Sequence, residues 1–341
     1  MRPGVLVIPL LTVSIQAADF PYQDEISQGI EYYFQENFTK AEEVFLGLIQ
    51  ADTLNPAGYY FLALTYQGEM LDLESDYREE EFYATLEKSI RMSERRLQKD
   101  KKDKLAHLYL GNSYGNWGLY QARQGSWFSA LRSGFRAKAN WERVLELDSS
   151  FYEAYAGLGS YFYWKSAYTK KFRWLPFVKD KRQEGMRMLK LAAESSLVSR
   201  DFALSSLMWI NLKEKNYFQA LNLAYYFQSK YPQAKFPLWA EGFIYYEKFD
   251  WKNALQTFDK LMQRLQETQP SNFYNLIEVE FRMANCFFNL GMYKEARLLC
   301  EKILKYPLDK KITQRQKDKL KRTKEILGKI PKVIKQSSRT E

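Results

Sequence analysis

The stretch FPLWAEGFIYYEKFDWKNALQTFDKL, Phe236–Leu261, decides the fold of this chain. Its apolar residues recur every three to four positions on either side of a turn at residues 249–251, which is typical of two short amphipathic helices. Gly242 on the first helix and Ala254 on the second are small enough to let the helices approach closely. Large aromatic side chains stand beside them, at Tyr245 and Phe258. The stretch therefore predicts one helical hairpin.

The same spacing occurs near the amino terminus. The positions that match Gly242, Tyr245, Ala254, Phe258 and Leu261 in offset and residue type are Gly29, Tyr32, Ala41, Phe45 and Leu48. A small residue and an aromatic on one helix, followed by alanine, an aromatic and an apolar residue on the next, resemble the tetratricopeptide repeat (TPR), which has a period of about 34 residues. The resemblance covers about residues 24–308. It implies an all-α solenoid in which hairpins stack on their neighbours.

About seven such units follow one another, and the central ones are longer. In the first and sixth units the two small residues are twelve positions apart, whereas Gly111 and Ala137 in the third and Gly159 and Gly185 in the fourth are 26 apart. We expect the extra residues to extend both helices of the third unit and to form the segment YTKKFRWLPFVKDKRQ in the fourth. The sequence thus predicts an all-α, TPR-like α-solenoid of about seven helical hairpins over residues 19–309.

The net charge of +10 is concentrated after residue 309. Residues 310–341 contain twelve Lys and Arg but three Asp and Glu, and the rest of the chain sums to +1. A final basic helix is predicted over Thr313–Leu327, ending at Gly328. We expect residues 310–341 to form a basic capping helix and tail that covers the last apolar face of the solenoid. Attraction of this charge to an anionic membrane is the alternative.

The first eighteen residues, MRPGVLVIPLLTVSIQAA, have the pattern of a secretory signal peptide. One arginine precedes an apolar run from Val5 to Ile15, and small residues follow it. The run is about half the length that spans a bilayer, which argues against a lasting anchor. We therefore expect an exported bacterial protein, periplasmic or secreted and associated with the cell envelope. A buried first helix is the alternative.

The centre of the chain is also similar to the eukaryotic tetratricopeptide-repeat-39 family. That family has a Leu-Pro loop followed by an Asp-x-Arg-x-x-Gly helix start, which match Leu175, Pro176, Asp180, Arg182 and Gly185. The predicted export signal departs from that family, so the similarity carries no function to this chain.

Motifs of catalysis and metal binding are absent from the sequence. It contains no Gly-rich phosphate loop, HExxH helix or Gly-x-Ser-x-Gly elbow. One histidine, His107, and two cysteines exclude a zinc site of the Cys/His type. We expect a non-enzymatic protein without cofactor or metal. Cys286 and Cys300, on the two helices of the seventh unit, either form a disulfide in an oxidising compartment or remain buried thiols, and the sequence leaves both open.

The TPR resemblance implies a protein-interaction scaffold or adaptor that holds a partner protein or peptide in a concave groove. The first helix of each hairpin would line this groove, and helical register selects its contact residues as Asn112, Asn116, Tyr161 and Lys165. Trp174, in the basic and aromatic segment Lys170–Arg182, is a fifth candidate. The alternative is a structural component tethered to an anionic membrane surface by the basic tail and the Trp174 loop. Nucleic acid is not expected as a partner, because export would separate the protein from it.

Overall fold

A computed structural model describes residues 20–169, 179–267 and 272–337, the last seven of them as backbone only. Across these ranges the chain is helical and contains no strand. The helices are α1 Gln23–Phe34, α2 Phe38–Ala51, α3 Pro56–Asp72, α4 Glu79–Lys99, α5 Lys104–Arg123, α6 Trp127–Leu147, α7 Glu153–Tyr168, α8 Arg182–Ser195, α9 Arg200–Lys213, α10 Tyr217–Lys230, α11 Phe236–Glu247, α12 Trp251–Glu267, α13 Tyr274–Asn289, α14 Tyr293–Ile303, α15 Lys310–Arg315 and α16 Lys317–Ser337.

The helices from α1 to α14 form seven successive hairpins, each packed against the next, so the predicted TPR-like α-solenoid is confirmed. In the opening stretch, a Cβ atom on Gly242 would lie 2.5 Å from Cε1 of Phe258, so the glycine makes room for that ring. Gly29 faces the ring of Phe45 in the same way. The repeated small-to-aromatic spacing in the sequence is therefore the packing contact of the first and sixth hairpins.

The turns inside the hairpins share one geometry. Six of them, within the described ranges, contain a residue with positive φ: Glu36, Glu74, Gly125, Lys215, Phe249 and Gly291. The backbone N–H that follows closes back onto the preceding helix; Asp250 N–H, for example, donates to the carbonyl of Tyr245 at 2.9 Å. This is the Schellman ending of a helix, in which a left-handed residue lets the chain reverse direction.

The two lengthened units differ as expected. In the third unit α5 and α6 have 20 and 21 residues and meet at Gln124–Ser126. In the fourth unit α7 and α8 have 16 and 14 residues, and the additional chain lies in the connection between them. The extra residues of the third hairpin therefore form a helical tip beyond the regular packing.

The predicted end of the final helix is wrong. The predicted helix Thr313–Leu327 is divided into α15 and α16, and α16 runs past Gly328 to Ser337. Ile326 and Ile330 lie one helical turn apart and are both buried against α13 and α14. This continuing apolar stripe outweighs the cost of a glycine inside a helix, which is about 1 kcal/mol.

The solenoid turns back on itself, and we call the resulting contacts the inter-turn seam. Lys235, which follows α10, has its Nζ 2.7 Å from a carboxylate oxygen of Glu36 and 3.1 Å from one of Asp72. The backbone N–H of Phe236 also donates to Glu36, at 3.0 Å. Because Glu36 lies in the turn of the first hairpin and Asp72 ends the first helix of the second, the sixth hairpin is joined directly to the beginning of the solenoid.

Apolar and amide contacts extend the seam on both sides of this ion pair. The ring of Phe34 stacks on those of Phe227 and Tyr231, with centroids 5.9 and 5.6 Å apart. Asn272 donates to the carbonyl of Leu73 at 3.1 Å, and Asn275 donates to that of Asp72 at 2.7 Å. The seam therefore combines a ring stack, a shared lysine and amides that bind free carbonyls at the end of α3.

The carboxy-terminal helices belong to the same packed structure. Lys311 pairs with Asp76 and Arg315 with Glu74, while Lys319 pairs with Glu278 at 2.5 Å. Part of the basic charge of this segment is therefore used within the molecule.

In the described ranges, no helix combines the length and the apolar character that crossing a membrane requires.

Candidate binding groove

A groove of about 450 Å³ runs along the inner face of the solenoid. Its walls come from α1, α3, α5, α7 and α9, together with α6 as far as Trp141. A second depression of about 650 Å³ continues it along α7, α9 and α11. The two share Trp164, Tyr168, Ser205 and Ser206, so they form one continuous surface, which we call the inner groove.

Four of the five sequence-predicted contact residues lie together in the inner groove. Asn112 and Asn116 on α5, and Tyr161 and Lys165 on α7, all line it. They share this surface because the first helices of successive hairpins face the same side. Trp174 lies outside the described residues.

The two asparagines are already engaged within the fold. Oδ1 of Asn112 accepts a hydrogen bond from Nε1 of Trp141 at 2.7 Å. Nδ2 of Asn116 donates to the hydroxyl of Tyr60 at 3.4 Å, and the backbone carbonyl of Asn116 accepts from the side chain of Gln67 at 3.3 Å. Their side chains therefore hold the aromatic walls in position.

Lys165 is the cation in the wall of the 450 Å³ part of the groove. Its Nζ lies 5.1 Å from the ring centroid of Phe135 and 5.4 Å from that of Tyr161, a distance at which an ammonium group interacts with the face of an aromatic ring. Removal from water lowers the pKa of Lys165, and the nearby charges of Lys138 and Lys181 lower it further. The ammonium group therefore sits among rings and other cations.

Large apolar side chains that sequence reasoning did not select stand exposed along the groove. Leu119 is 62% exposed and Tyr168 is 64% exposed, and Trp127 and Leu131 lie between them at the tip of the lengthened third hairpin. Phe128, beside this tip, is 91% exposed. The signal in the sequence was the extra length of the third unit together with the apolar residues that follow Gly125.

Glu153, the acidic residue in the wall of the 450 Å³ part of the groove, accepts hydrogen bonds from the backbone. Its carboxylate accepts from the N–H groups of Leu197, Val198 and Ser199 at 2.6, 3.3 and 3.1 Å. Burial raises the pKa of Glu153, and these three hydrogen bonds oppose that rise. The residue anchors the connection that leads into α9.

The histidine and the cysteines occupy structural positions. Nδ1 of His107 lies 2.8 Å from Oδ1 of Asn140, and Nε2 lies 3.2 Å from the carbonyl of Lys101. Cys286 and Cys300 are buried free thiols that pack into different apolar clusters. Burial raises the pKa of Cys286 to about 12 and that of Cys300 to about 11, which keeps both thiols protonated. Within the described ranges, no group of three or more His, Cys, Asp and Glu side chains is placed to hold a metal ion.

No family model matches this chain, and no curated protein matches it. Among solved structures, it is similar to the APC/C hetero-tetramer Cut9–Hcn1, with a TM-score of 0.51 and 13% identity over 81% of this chain and 45% of that one. It is also similar to PilW, a type IV pilus biogenesis factor, with a TM-score of 0.48 and 15% identity over 75% of this chain and 96% of that one.

A third similar structure is YrrB, a TPR protein with an unusual peptide-binding site. Its TM-score is 0.44, with 15% identity over 66% of this chain and 97% of that one. At these identities the likeness concerns the fold alone. Seven stacked hairpins with a repeated small-to-aromatic contact give this chain the α-solenoid fold of TPR proteins.

Proposed function

We propose that this chain is a non-enzymatic scaffold that holds a segment of a partner protein in its inner groove. The observation that carries this proposal is the continuous, aromatic-lined groove along the first helices of the hairpins. Exposed apolar side chains gathered in a concave surface are typical of a protein-interaction site, because burying them against a partner is favourable. Leu119, Trp127, Leu131 and Tyr168 are such side chains.

We also propose that this scaffold acts in the cell envelope. Support comes from the signal-peptide pattern of residues 1–18, which lie outside the described part of the chain. Sequencing the amino terminus of the protein purified from its native cells tests this placement. A chain that begins near residue 19 supports export, whereas a chain that begins at Met1 and fractionates with the cytoplasm contradicts it.

Affinity capture with matched surface variants tests the groove. The double variant Leu119→Ser and Tyr168→Ser removes two exposed groove side chains. The control, Leu298→Ser and Phe218→Ser, removes side chains that are 59% and 72% exposed on α14 and α10, away from the groove. We expect one protein to be enriched from envelope extracts by the wild type and by the control, and to be lost with the groove variant.

The membrane-tether alternative is tested in the same experiment. Deleting residues 310–341 would also remove the buried side chains of Ile312, Ile326 and Ile330, so neutralisation is the cleaner change. Lys321, Lys324 and Lys329 are exposed on α16 and can be replaced by glutamine. Retention of the partner by this variant supports the scaffold. Loss of captured membrane material with the neutralised tail, and equal capture by the groove variant, would instead support a membrane tether.

A further inference from the structure

The charge that the wall of the inner groove offers to an occupant is positive. In the 450 Å³ part, the charged lining residues are Glu153 and Lys165. Both carboxylate oxygens of Glu153 already accept backbone N–H groups, whereas Lys165 is exposed and touches aromatic rings. The free charge that this part of the groove offers to an occupant is therefore positive.

The continuation of the groove has the same sign. Lys213 and Lys215 line it together with Glu247, and Glu247 accepts a hydrogen bond from the hydroxyl of Tyr217 at 3.0 Å. The Nζ atom of Lys213 lies 5.7 Å from the ring centroid of Trp164. Trp164 lines both parts of the groove and stands one residue before Lys165. Lysines therefore line both parts of the groove, and Trp164 is shared between these parts.

Two long stretches of sequence that contribute to the groove wall contain no acidic residue. From Lys104 to Trp141, which includes α5 and most of α6, there are five Lys and Arg but no Asp or Glu. From Ala154 to Thr169, which includes nearly all of α7, there is again no Asp or Glu. A ligand that brings carboxylates would meet complementary charge here, and one that brings cations would be repelled.

We infer that the occupant of the inner groove is an acidic peptide segment of a partner protein, with large apolar side chains. Its apolar side chains would lie against Trp127, Leu131 and Tyr168, and its carboxylates would meet Lys165 and Lys213. This inference rests on the proposed function and adds the chemistry of the partner. Aromatic surface supplies most of the affinity in such a groove, while the lysines repel basic segments and favour acidic segments over neutral ones.

Selection from a random peptide library tests the inference with the full-length protein as bait. We expect the enriched peptides to combine Trp, Phe or Leu with more Asp and Glu than Lys and Arg. Enrichment of neutral or basic sequences would overturn the inference. Competition between wild type and the Leu119→Ser, Tyr168→Ser variant identifies which peptides need the groove.

Charge reversal at the two lysines provides the second measurement. For a selected acidic peptide, we expect Lys165→Glu with Lys213→Glu to weaken binding at least about tenfold, because attraction becomes repulsion at two positions. The control, Lys190→Glu with Lys252→Glu, makes the same change in net charge at exposed positions outside the groove and should bind as the wild type does. The same peptide with its carboxylates replaced by lysines should bind the reversed protein better than the wild type.

The outcomes separate this inference from the proposed function. Peptides that require Leu119 and Tyr168 but show no acidic preference, and no response to charge reversal, would leave the scaffold standing and remove the acidic partner. A library that yields no groove-dependent peptide would count against both. An acidic preference that persists in the Lys165→Glu, Lys213→Glu protein would also overturn the inference, because other cations would then be responsible.

Discussion

Gly159 and Gly185 bring the backbones of α7 and α8 into contact. A Cβ atom on Gly159 would lie 2.7 Å from the carbonyl oxygen of Gly185, and one on Gly185 would lie 2.5 Å from the carbonyl oxygen of Gly159. Neither obstacle is a side chain that could rotate away. In the opening stretch, by contrast, Gly242 faces the ring of Phe258, which has some freedom to shift. The fourth hairpin therefore tolerates a larger side chain at Gly159 and Gly185 less well than the sixth hairpin does at Gly242.

Gly159→Ala should therefore lower the free energy of unfolding by about 1–3 kcal/mol, the usual cost of overpacking. Gly47→Ala is the matched control, because a Cβ atom on Gly47 meets nothing within 4 Å. This control should raise the free energy of unfolding by about 0.5–1 kcal/mol, since alanine loses less backbone entropy in a helix. Urea unfolding of both variants measures the difference. Equal effects at the two positions would contradict the close approach of α7 and α8.

Individual residues were predicted where a local pattern reports on packing, and not elsewhere. The small-to-aromatic spacing selected Gly242 and Phe258, and helical register selected Lys165 for the groove. Nothing local shows that Asn112 already accepts a hydrogen bond from Trp141, because its partner lies 29 positions away. The left-handed turn residue is also visible only where it is glycine; Glu36 and Phe249 adopt the same conformation without a compositional signal.

Helix α16 shows how packing sets the length of an element. Its buried positions continue through Thr323, Ile326 and Ile330, on both sides of Gly328. The sequence rule that a glycine ends a helix gave a wrong boundary here, because the apolar surface of α13 and α14 extends past it. The seven hairpins and the pairing of their helices were predictable from the repeated offsets, whereas this boundary depends on a surface formed by other parts of the chain.

Two substitutions test whether α16 is helical and packed beyond Gly328. Gly328→Ala should raise the free energy of unfolding by about 0.5–1 kcal/mol, because the position is exposed inside a helix and a Cβ atom would meet nothing within 4 Å. Ile330→Ala should lower it by about 2–5 kcal/mol, because the side chain is fully buried. Both are measured by chemical denaturation. A helix that ended at Gly328 would give the opposite sign for the first and no effect for the second.

At the scale of the whole molecule, the inter-turn seam was beyond the reach of sequence reasoning. Glu36 and Lys235 are 199 positions apart, and neither belongs to a motif that indicates the other. Their meeting depends on the pitch of the superhelix, which is the sum of many small rotations between hairpins. The repeat pattern predicts that hairpins stack, but it does not predict where the stack returns to its start.

Lys235→Met tests the seam, since one buried cation there pairs with two carboxylates. We expect it to lower the free energy of unfolding by about 3–5 kcal/mol at about pH 8, the usual cost of leaving a buried charge unpaired. Lys248→Met, at an exposed position on the same hairpin, should change it by less than about 0.5 kcal/mol. Urea unfolding of the variants and the wild type measures both effects.

The loss of unfolding free energy caused by Lys235→Met should depend on pH in a defined direction. Burial raises the pKa of Asp72 from its ordinary 3.8 to about 7, and Glu36 raises it while Lys235 opposes the rise. A carboxyl group with a raised pKa favours folding below its unfolded pKa, and this contribution is lost as the pH rises through the folded value. Without Lys235 the folded pKa rises further, so the cost of Lys235→Met should be smaller at about pH 5 than at about pH 8. A cost that does not change between these two pH values would contradict the shared ion pair.

The seam also restricts how this protein can change by duplication. An open solenoid tolerates the gain or loss of a whole repeat, because every new hairpin needs only its two neighbours. Here an extra hairpin between the second and the fifth would carry Lys235 and Phe236 past Glu36 and separate Phe34 from Phe227. Whole-repeat insertions and deletions inside that interval should therefore be rejected by selection, while additions after α16 leave the closure intact. The contacts of the inter-turn seam therefore fix the number of repeats between the two ends that they join.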